Sequence, residues 1–196
     1  MTNSPFLVAL VLAGGKSSRM GTDKALILWH GQPMLQRVCQ AAQDCCDSVY
    51  LLTPWPDRYQ GQITGGYQWL LESNPGNGPA IALCQGFAQI NAEWILLLAC
   101  DLPQLQSSIL QQWQQELATL PPEILALVPR SGERWEPMCG FYRKKARESL
   151  EAFIQQGGRS LQGWLKQIPV KSIPVDEPEA QMLRNCNTPE DLAKGF

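Results

Sequence analysis

Histidine is almost missing from this chain: His30 is the only one in 196 residues. That excludes a Ser–His–Asp or Cys–His arrangement and any pair of histidines exchanging a proton, and His30 beside Gly31 reads as a surface turn residue. Long hydrophobic runs are also missing. The stretch from Phe6 to Ala13 is too short for a signal-peptide core followed by a cleavage site, and much too short to cross a bilayer. There are seven cysteines, at 39, 45, 46, 84, 100, 139 and 186, but no C-x-x-C pair and no zinc-ligand spacing to His30. A reduced, cytoplasmic protein is the expectation. Neither sign of charge dominates, with 16 Lys and Arg against 18 Asp and Glu for a net charge of -2. Nothing in that balance points to nucleic acid or to an acidic membrane surface, so no nucleic-acid or membrane partner is expected. Any positive charge that matters must be local.

What is present is a series of short apolar runs without alternation, at 6 to 13, 48 to 53, 67 to 71, 94 to 100 and 124 to 129. Continuous apolar strands imply a sheet covered on both faces. Segments with helical spacing lie between them, at 34 to 46, 79 to 90 and 107 to 120. Strand alternating with helix is the βαβ pattern of a parallel sheet. The last third predicts a short strand at 139 to 142, helices near 144 to 156 and 160 to 167, and a strand near 170 to 175. A helix start follows at Asn187-Thr188-Pro189-Glu190-Asp191-Leu192, with a capping side chain, Pro in the first turn and an acid three residues after Thr188. No repeat, low-complexity tract or linker interrupts the chain, so one α/β domain over 1–196 is expected, three-layered, with a mostly parallel sheet and helices on both faces.

Chemistry concentrates in VLAGGKSSRMGTDKAL, residues 11 to 26. Gly14-Gly15 directly after the first strand lets backbone N–H groups approach an anion closely, because no Cβ intervenes and positive φ is available. Alone this is also the signature of a plain βα turn. It is neither a Walker A motif, since Leu10 stands where that motif needs its first Gly, nor G-x-G-x-x-G. Arg19 and Lys24 add what a plain turn does not need, two cations able to neutralise a triphosphate. Asp101 follows the run WILLLAC and so lies at the carboxyl end of a central strand, the side on which open α/β sheets bind ligands. A carboxylate there suits Mg²⁺, the alternative being a cap or turn aspartate before Pro103.

The pattern L-A-G-G-x-S-x-R-M-G-x-D-K-A-L, Leu12 to Leu26, resembles the opening of the molybdenum cofactor guanylyltransferases. Cytidylyl- and uridylyltransferases of sugar and isoprenoid metabolism carry only L-A-A-G-x-G-x-R-M. Five further blocks follow in the family's order: Gly78-Pro79, Cys100-Asp101-Leu102-Pro103, Glu136-Pro137-Met138-Cys139, Gly158-Arg159-Ser160 and Asn185-Cys186-Asn187-Thr188-Pro189-Glu190-Asp191-Leu192. The chain departs from the family at Glu72, where Asp is usual, at Thr53, where Asn is usual, and at Ala80-Ile81-Ala82 in place of L-A-G.

The resemblance implies a Rossmann-like nucleotidyltransferase fold with a nucleotide-binding N-terminal part and a molybdopterin-binding C-terminal part. It places Leu12, Ala13, Gly14, Gly15, Arg19, Lys24, Glu72, Gly78 and Asp101 around the nucleotide, with Arg19, Lys24 and Asp101 catalytic and Asp101 on the metal. Glu72 reads equally as a strand-end surface charge. Glu136, Arg159, Ser160, Asn185 and Asn187 resemble the molybdopterin side, although Asn187 is more simply an N-cap and Glu136 a turn residue. Of the seven tryptophans, most of which read as core or rim, Trp135 beside Glu136 is the one singled out for ligand contact. The implied reaction is Mg²⁺-dependent transfer of GMP from GTP to the terminal phosphate of molybdopterin. Other cofactor-synthesis proteins and molybdoenzyme apoproteins are the partners it implies. The rival readings are a cytidylyltransferase or another nucleotidyltransferase on a phosphorylated acceptor, and a non-catalytic carrier of the molybdenum cofactor.

Overall fold

A computed structural model describes residues 6–14, 23–186 and 191. Gly15, Arg19, Asn187 and the helix start around Thr188 lie outside the described residues. Strand β1, Leu7–Leu12, runs through the middle of the sheet. A two-residue hairpin follows, β2 (Leu28–Trp29) and β3 (Gln32–Pro33). His30 and Gly31 turn it at φ 47° and 79°, the doubly positive φ that tight hairpins require. His30 is thus the exposed turn residue expected of it.

Helix α1, Met34–Gln43, leads to β4, Ser48–Thr53. A single turn, α2 (Pro56–Tyr59), precedes β5, Gln68–Leu71. Helix α3, Pro79–Gln89, returns the chain to β6, Trp94–Ala99. After α4, Ser107–Glu116, come β7 (Ala126–Ser131), β8 (Arg134–Trp135) and β9 (Cys139–Arg143). The chain then forms α5 (Arg147–Gln155), α6 (Leu161–Leu165), β10 (Val170–Pro174) and α7 (Glu177–Met182).

The sheet runs β5-β4-β1-β6-β9-β7-β10, with β8 paired to β7. The pairs β1–β4, β1–β6, β4–β5 and β7–β10 are parallel, whereas β9 is antiparallel to both neighbours. The short strand expected at 139 to 142 therefore lies inside the sheet and gives it its mixed character. Alternate residues of one strand serve opposite faces. Leu7, Ala9 and Val11 pack with Leu35, Val38, Leu110 and Trp113 of α1 and α4. Val8 and Leu10 pack with Leu83, Phe87, Leu150 and Trp164 of α3, α5 and α6. Both faces are buried, which is why the strands read as unbroken apolar runs.

The connections set the position of the site. From β1 the chain winds to β4 and β5 on one side, then α3 carries it back to β6 on the other side of β1. The carboxyl ends of β1 and β6 flank this reversal, where no crossover covers the crevice.

Candidate active site

A cavity of about 420 Å³ opens at that reversal. Leu12 and Ala99 are register partners at its floor, and the Cys100 N–H donates to the Leu12 carbonyl at 3.3 Å. Leu12 at the end of β1, Ala13 and Gly14 just after it, Glu72 after β5, Gly78 and Pro79 at the start of α3, Asp101 after β6, and Lys24 all line it.

Gly14 is required by packing, not by an unusual backbone angle, for its φ lies outside the left-handed range. A Cβ there would come within 2.7 Å of both Glu72 Oε2 and Pro54 Cδ. Glu72 is only 7% exposed, and its N–H donates to the Thr53 carbonyl at 2.9 Å. Of the two readings its position allowed, the exposed surface charge is thus overturned: the carboxylate lies in the cavity wall because β5 ends beside β4 and the side chain of Glu72 reaches back over it to Gly14. Burial pushes it above the usual carboxylate range. Thr53 is fully buried and its Oγ1 accepts from the Trp55 N–H at 3.1 Å, so its hydroxyl shapes the turn after β4.

Lys24 and Asp101, far apart in sequence, meet here with Nζ 3.9 Å from Oδ2. Burial raises the Asp101 carboxyl while Lys24 and a backbone hydrogen bond pull it down, with a net upward shift. The turn carrying Asp101 is held from two sides. Arg37 Nε donates to the Pro103 carbonyl at 2.9 Å, and the Cys186 N–H donates to the Asp101 carbonyl at 2.9 Å. The latter bond brings Asn185 into the cavity lining. Cys186 is itself buried against Trp29 and Met34, which anchors the carboxyl-terminal segment beside the hairpin.

Among the described residues no group of three or more His, Cys, Asp or Glu side chains converges as a metal cage. Asp101, at the carboxyl end of β6, fits Mg²⁺ that arrives with phosphate oxygens, since this ion keeps few protein ligands and much of its oxygen shell from substrate and water.

The residues expected on the acceptor side are only partly gathered. Asn185 lines the cavity, but Glu136, Arg159 and Ser160 are not in its lining. Glu136 lies 3.6 Å from Arg134 Nε, and burial raises its carboxyl despite that cation. The connection that carries it still reaches the cavity through Met138. Arg159 Nη1 donates to the Ile154 and Gly158 carbonyls at 3.2 and 2.9 Å, while the Arg159 carbonyl lies 3.6 Å from where a Cβ on Gly78 would stand. The Arg159 loop thus abuts the cavity wall at Gly78, whose φ of 88° is the left-handed conformation that favours glycine. Ser160 Oγ caps α6, accepting from the Gly163 N–H at 3.4 Å. Trp135 is buried under Arg130 at 4.9 Å and does not line the cavity, so it packs the second core face.

Sequence reasoning missed Tyr59 and Met138 as lining residues. Tyr59 follows Pro56, whose place at a helix start was the available signal.

Residues 9–170 match the family described as MobA-like NTP transferase domain. A probable molybdenum cofactor guanylyltransferase from Nostoc sp. is 50% identical over 187 residues, covering 95% of this chain and 89% of that protein. A probable molybdenum cofactor guanylyltransferase from Synechococcus elongatus is 45% identical over 185 residues, covering 93% and 94%. The fold matches the crystal structure of molybdopterin-guanine dinucleotide biosynthesis protein A from Archaeoglobus fulgidus with a TM-score of 0.78, at 21% identity and 95% coverage of both chains. No helix among the described residues is long and apolar enough to cross a membrane. With its central βαβ winding, its glycine-lined crevice and relatives of this likeness, the chain belongs to the MobA-like NTP transferase family.

Proposed function

We propose that this protein transfers GMP from GTP to the terminal phosphate of molybdopterin. A phosphate oxygen of the acceptor attacks the α-phosphorus of GTP, the bond from that phosphorus to the bridging oxygen of the β-phosphate breaks, and pyrophosphate leaves. The attacking group is already an anion, so no general base is needed, in keeping with a lone histidine on an exposed hairpin turn. The barrier lies in bringing two anions into line, which positioning and charge neutralisation lower. The observation that carries this reading is the meeting of Lys24 and Asp101 at 3.9 Å in one crevice with Gly14 and Glu72.

In this reading Lys24 neutralises the α-phosphate, and the backbone at Gly14 leaves room for the nucleotide beside Glu72. The carboxylate of Glu72 accepts from N–H groups of the base, and the amino end of α3 at Gly78 and Pro79 adds a favourable dipole for phosphate. Asp101, with phosphate oxygens, would hold Mg²⁺, which when bound draws charge from the reacting phosphates. Gly15 and Arg19, outside the described residues, are assigned to the β- and γ-phosphates and to the departing pyrophosphate. Asn185 stands on the acceptor side of the cavity. Glu136, Arg159, Ser160 and Asn187 complete the acceptor site in this proposal. The other cofactor-synthesis proteins and molybdoenzyme apoproteins supply the acceptor and receive the product.

The test is pyrophosphate release by the purified protein with Mg²⁺ and molybdopterin, run in parallel with GTP and CTP. Release with GTP alone is expected. Release with CTP alone would replace the base assignment, and binding of the pterin without turnover on either nucleotide would replace the enzyme by a carrier.

A further inference from the structure

Asp23 lines the cavity beside Lys24 and has a structural task there as well. Its Oδ1 accepts from the Ala25 N–H at 3.1 Å, closing the short 3₁₀ turn Lys24–Leu26 on which Lys24 sits. Its Oδ2 accepts from two donors on α2, the Tyr59 hydroxyl at 2.8 Å and Arg58 Nη1 at 2.9 Å. Tyr59 is 1% exposed, with its ring packed in the core, and Arg58 stacks on Trp55 at 4.3 Å. The main chain of the turn is fixed as well, with the Leu26 and Ile27 N–H groups donating to the Asp23 and Lys24 carbonyls at 3.1 Å each. A buried tyrosine and an exposed arginine of one short turn thus hold, through one carboxylate, the turn that carries the cavity's lysine.

We propose that Asp23, anchored by Tyr59 and Arg58, is a positioning residue that holds Lys24 at the reacting phosphate. This rests on the role given to Lys24 in the proposed reaction. A carboxylate suits the task and an amide does not, because Oδ2 receives two donors at once and a hydrogen bond to an ionised acceptor is about twice as strong as a neutral one. The demand on geometry is steep, since a displacement of about 1 Å at a transferring phosphate costs up to about a hundredfold in rate. Tyr59 presents its hydroxyl to Asp23 from a ring that Phe would preserve. Tyr59→Phe therefore removes the shorter of the two bonds to Oδ2, leaves Arg58 as the remaining donor, and keeps the ring in the cavity wall.

The experiment has two arms on the full chain. In the first, Tyr59→Phe lowers kcat about tenfold with KM for GTP changed less than about twofold. In single-turnover measurements with enzyme in excess, the same change added to Lys24→Ala alters the rate less than about twofold, because the two act through one group. An equal loss in both backgrounds, or no loss in the native one, overturns the positioning role. In the second arm, amide exchange at Ala25 speeds up in Tyr59→Phe while exchange at Ala9 in β1 stays as in the native protein. Unchanged exchange at Ala25 overturns the grip itself. Should the native protein transfer neither GMP nor CMP, the reaction proposed above falls, and the exchange arm still decides whether Asp23 is held by Tyr59.

Discussion

Lys24, Gly14 and Glu72 each make a different demand on the crevice. Replacing Lys24 by Ala removes a cation whose work is done at the reacting phosphate, so turnover should fall about a hundredfold or more. The pair it leaves is long, at 3.9 Å, and partly hydrated, so the cost in stability is about 1 kcal/mol or less. Comparing kcat with urea midpoints separates the two effects, and a loss of stability matching the loss of rate would remove Lys24 from the chemistry. Gly14→Ala places a methyl carbon 2.7 Å from Glu72 Oε2 and Pro54 Cδ, which a packed wall accepts only by shifting. An overpacking cost of about 1 to 3 kcal/mol is expected, together with a higher KM for GTP as Glu72 is displaced. The glycine itself was legible from sequence, but its reason was not, because Glu72 and Pro54 reach it from other strands.

Glu72 also has a pH signature. Burial raises its pKa, and only the ionised carboxylate offers both oxygens as charged acceptors to two N–H groups, so nucleotide binding weakens as pH falls through that raised value. KM for GTP should therefore begin to climb at a pH above the ordinary carboxylate range. In Glu72→Gln it should be high and level across the same pH interval. A native profile that stays flat until ordinary carboxylates titrate would place Glu72 outside the base contact.

At the scale of elements, the apolar runs located β1, β4, β5, β6 and β7 because each is too short for a helix and is bounded by polar or turn residues, even at β5, an edge strand with Leu71 exposed. His30-Gly31 was read as a turn, but the strands β2 and β3 that it joins escaped notice, since two-residue strands lack a pattern. The turn α2 escaped for the same shortness, and with it Tyr59. Helix α3 lies close on the sheet because Gly86 faces Leu10: a Cβ at Gly86 would sit 2.3 Å from Leu10 Cδ2. Leu10 is fully buried and has nowhere to move. Gly86→Ala should then destabilise by about 1 to 3 kcal/mol despite the better helix propensity of Ala. Urea unfolding with an unchanged m-value checks it, and a stabilised variant would show that α3 sits less tightly than the geometry states.

At the scale of the whole molecule, alternate residues of β1 and β6 belong to the two core faces, so neither face can come apart without exposing the other. One cooperative transition is expected, with tryptophan fluorescence and far-ultraviolet circular dichroism superimposing. All seven cysteines are free, so adding a reductant should leave that transition where it is; a midpoint that drops with reductant would contradict the reduced fold. Local pattern was enough for the α/β class, the succession of its main strands along the chain and the candidate residues Gly14, Lys24 and Asp101, because covered strands and glycine–cation turns are written within a few neighbouring positions. Tertiary structure alone decided that β9 runs antiparallel inside the sheet. It alone brought Glu72 against Gly14, carried Asn185 to the cavity through the Cys186–Asp101 bond, and kept Glu136, Arg159 and Ser160 out of that lining. Those contacts join residues tens of positions apart through strand order and backbone hydrogen bonds, and no local periodicity encodes either.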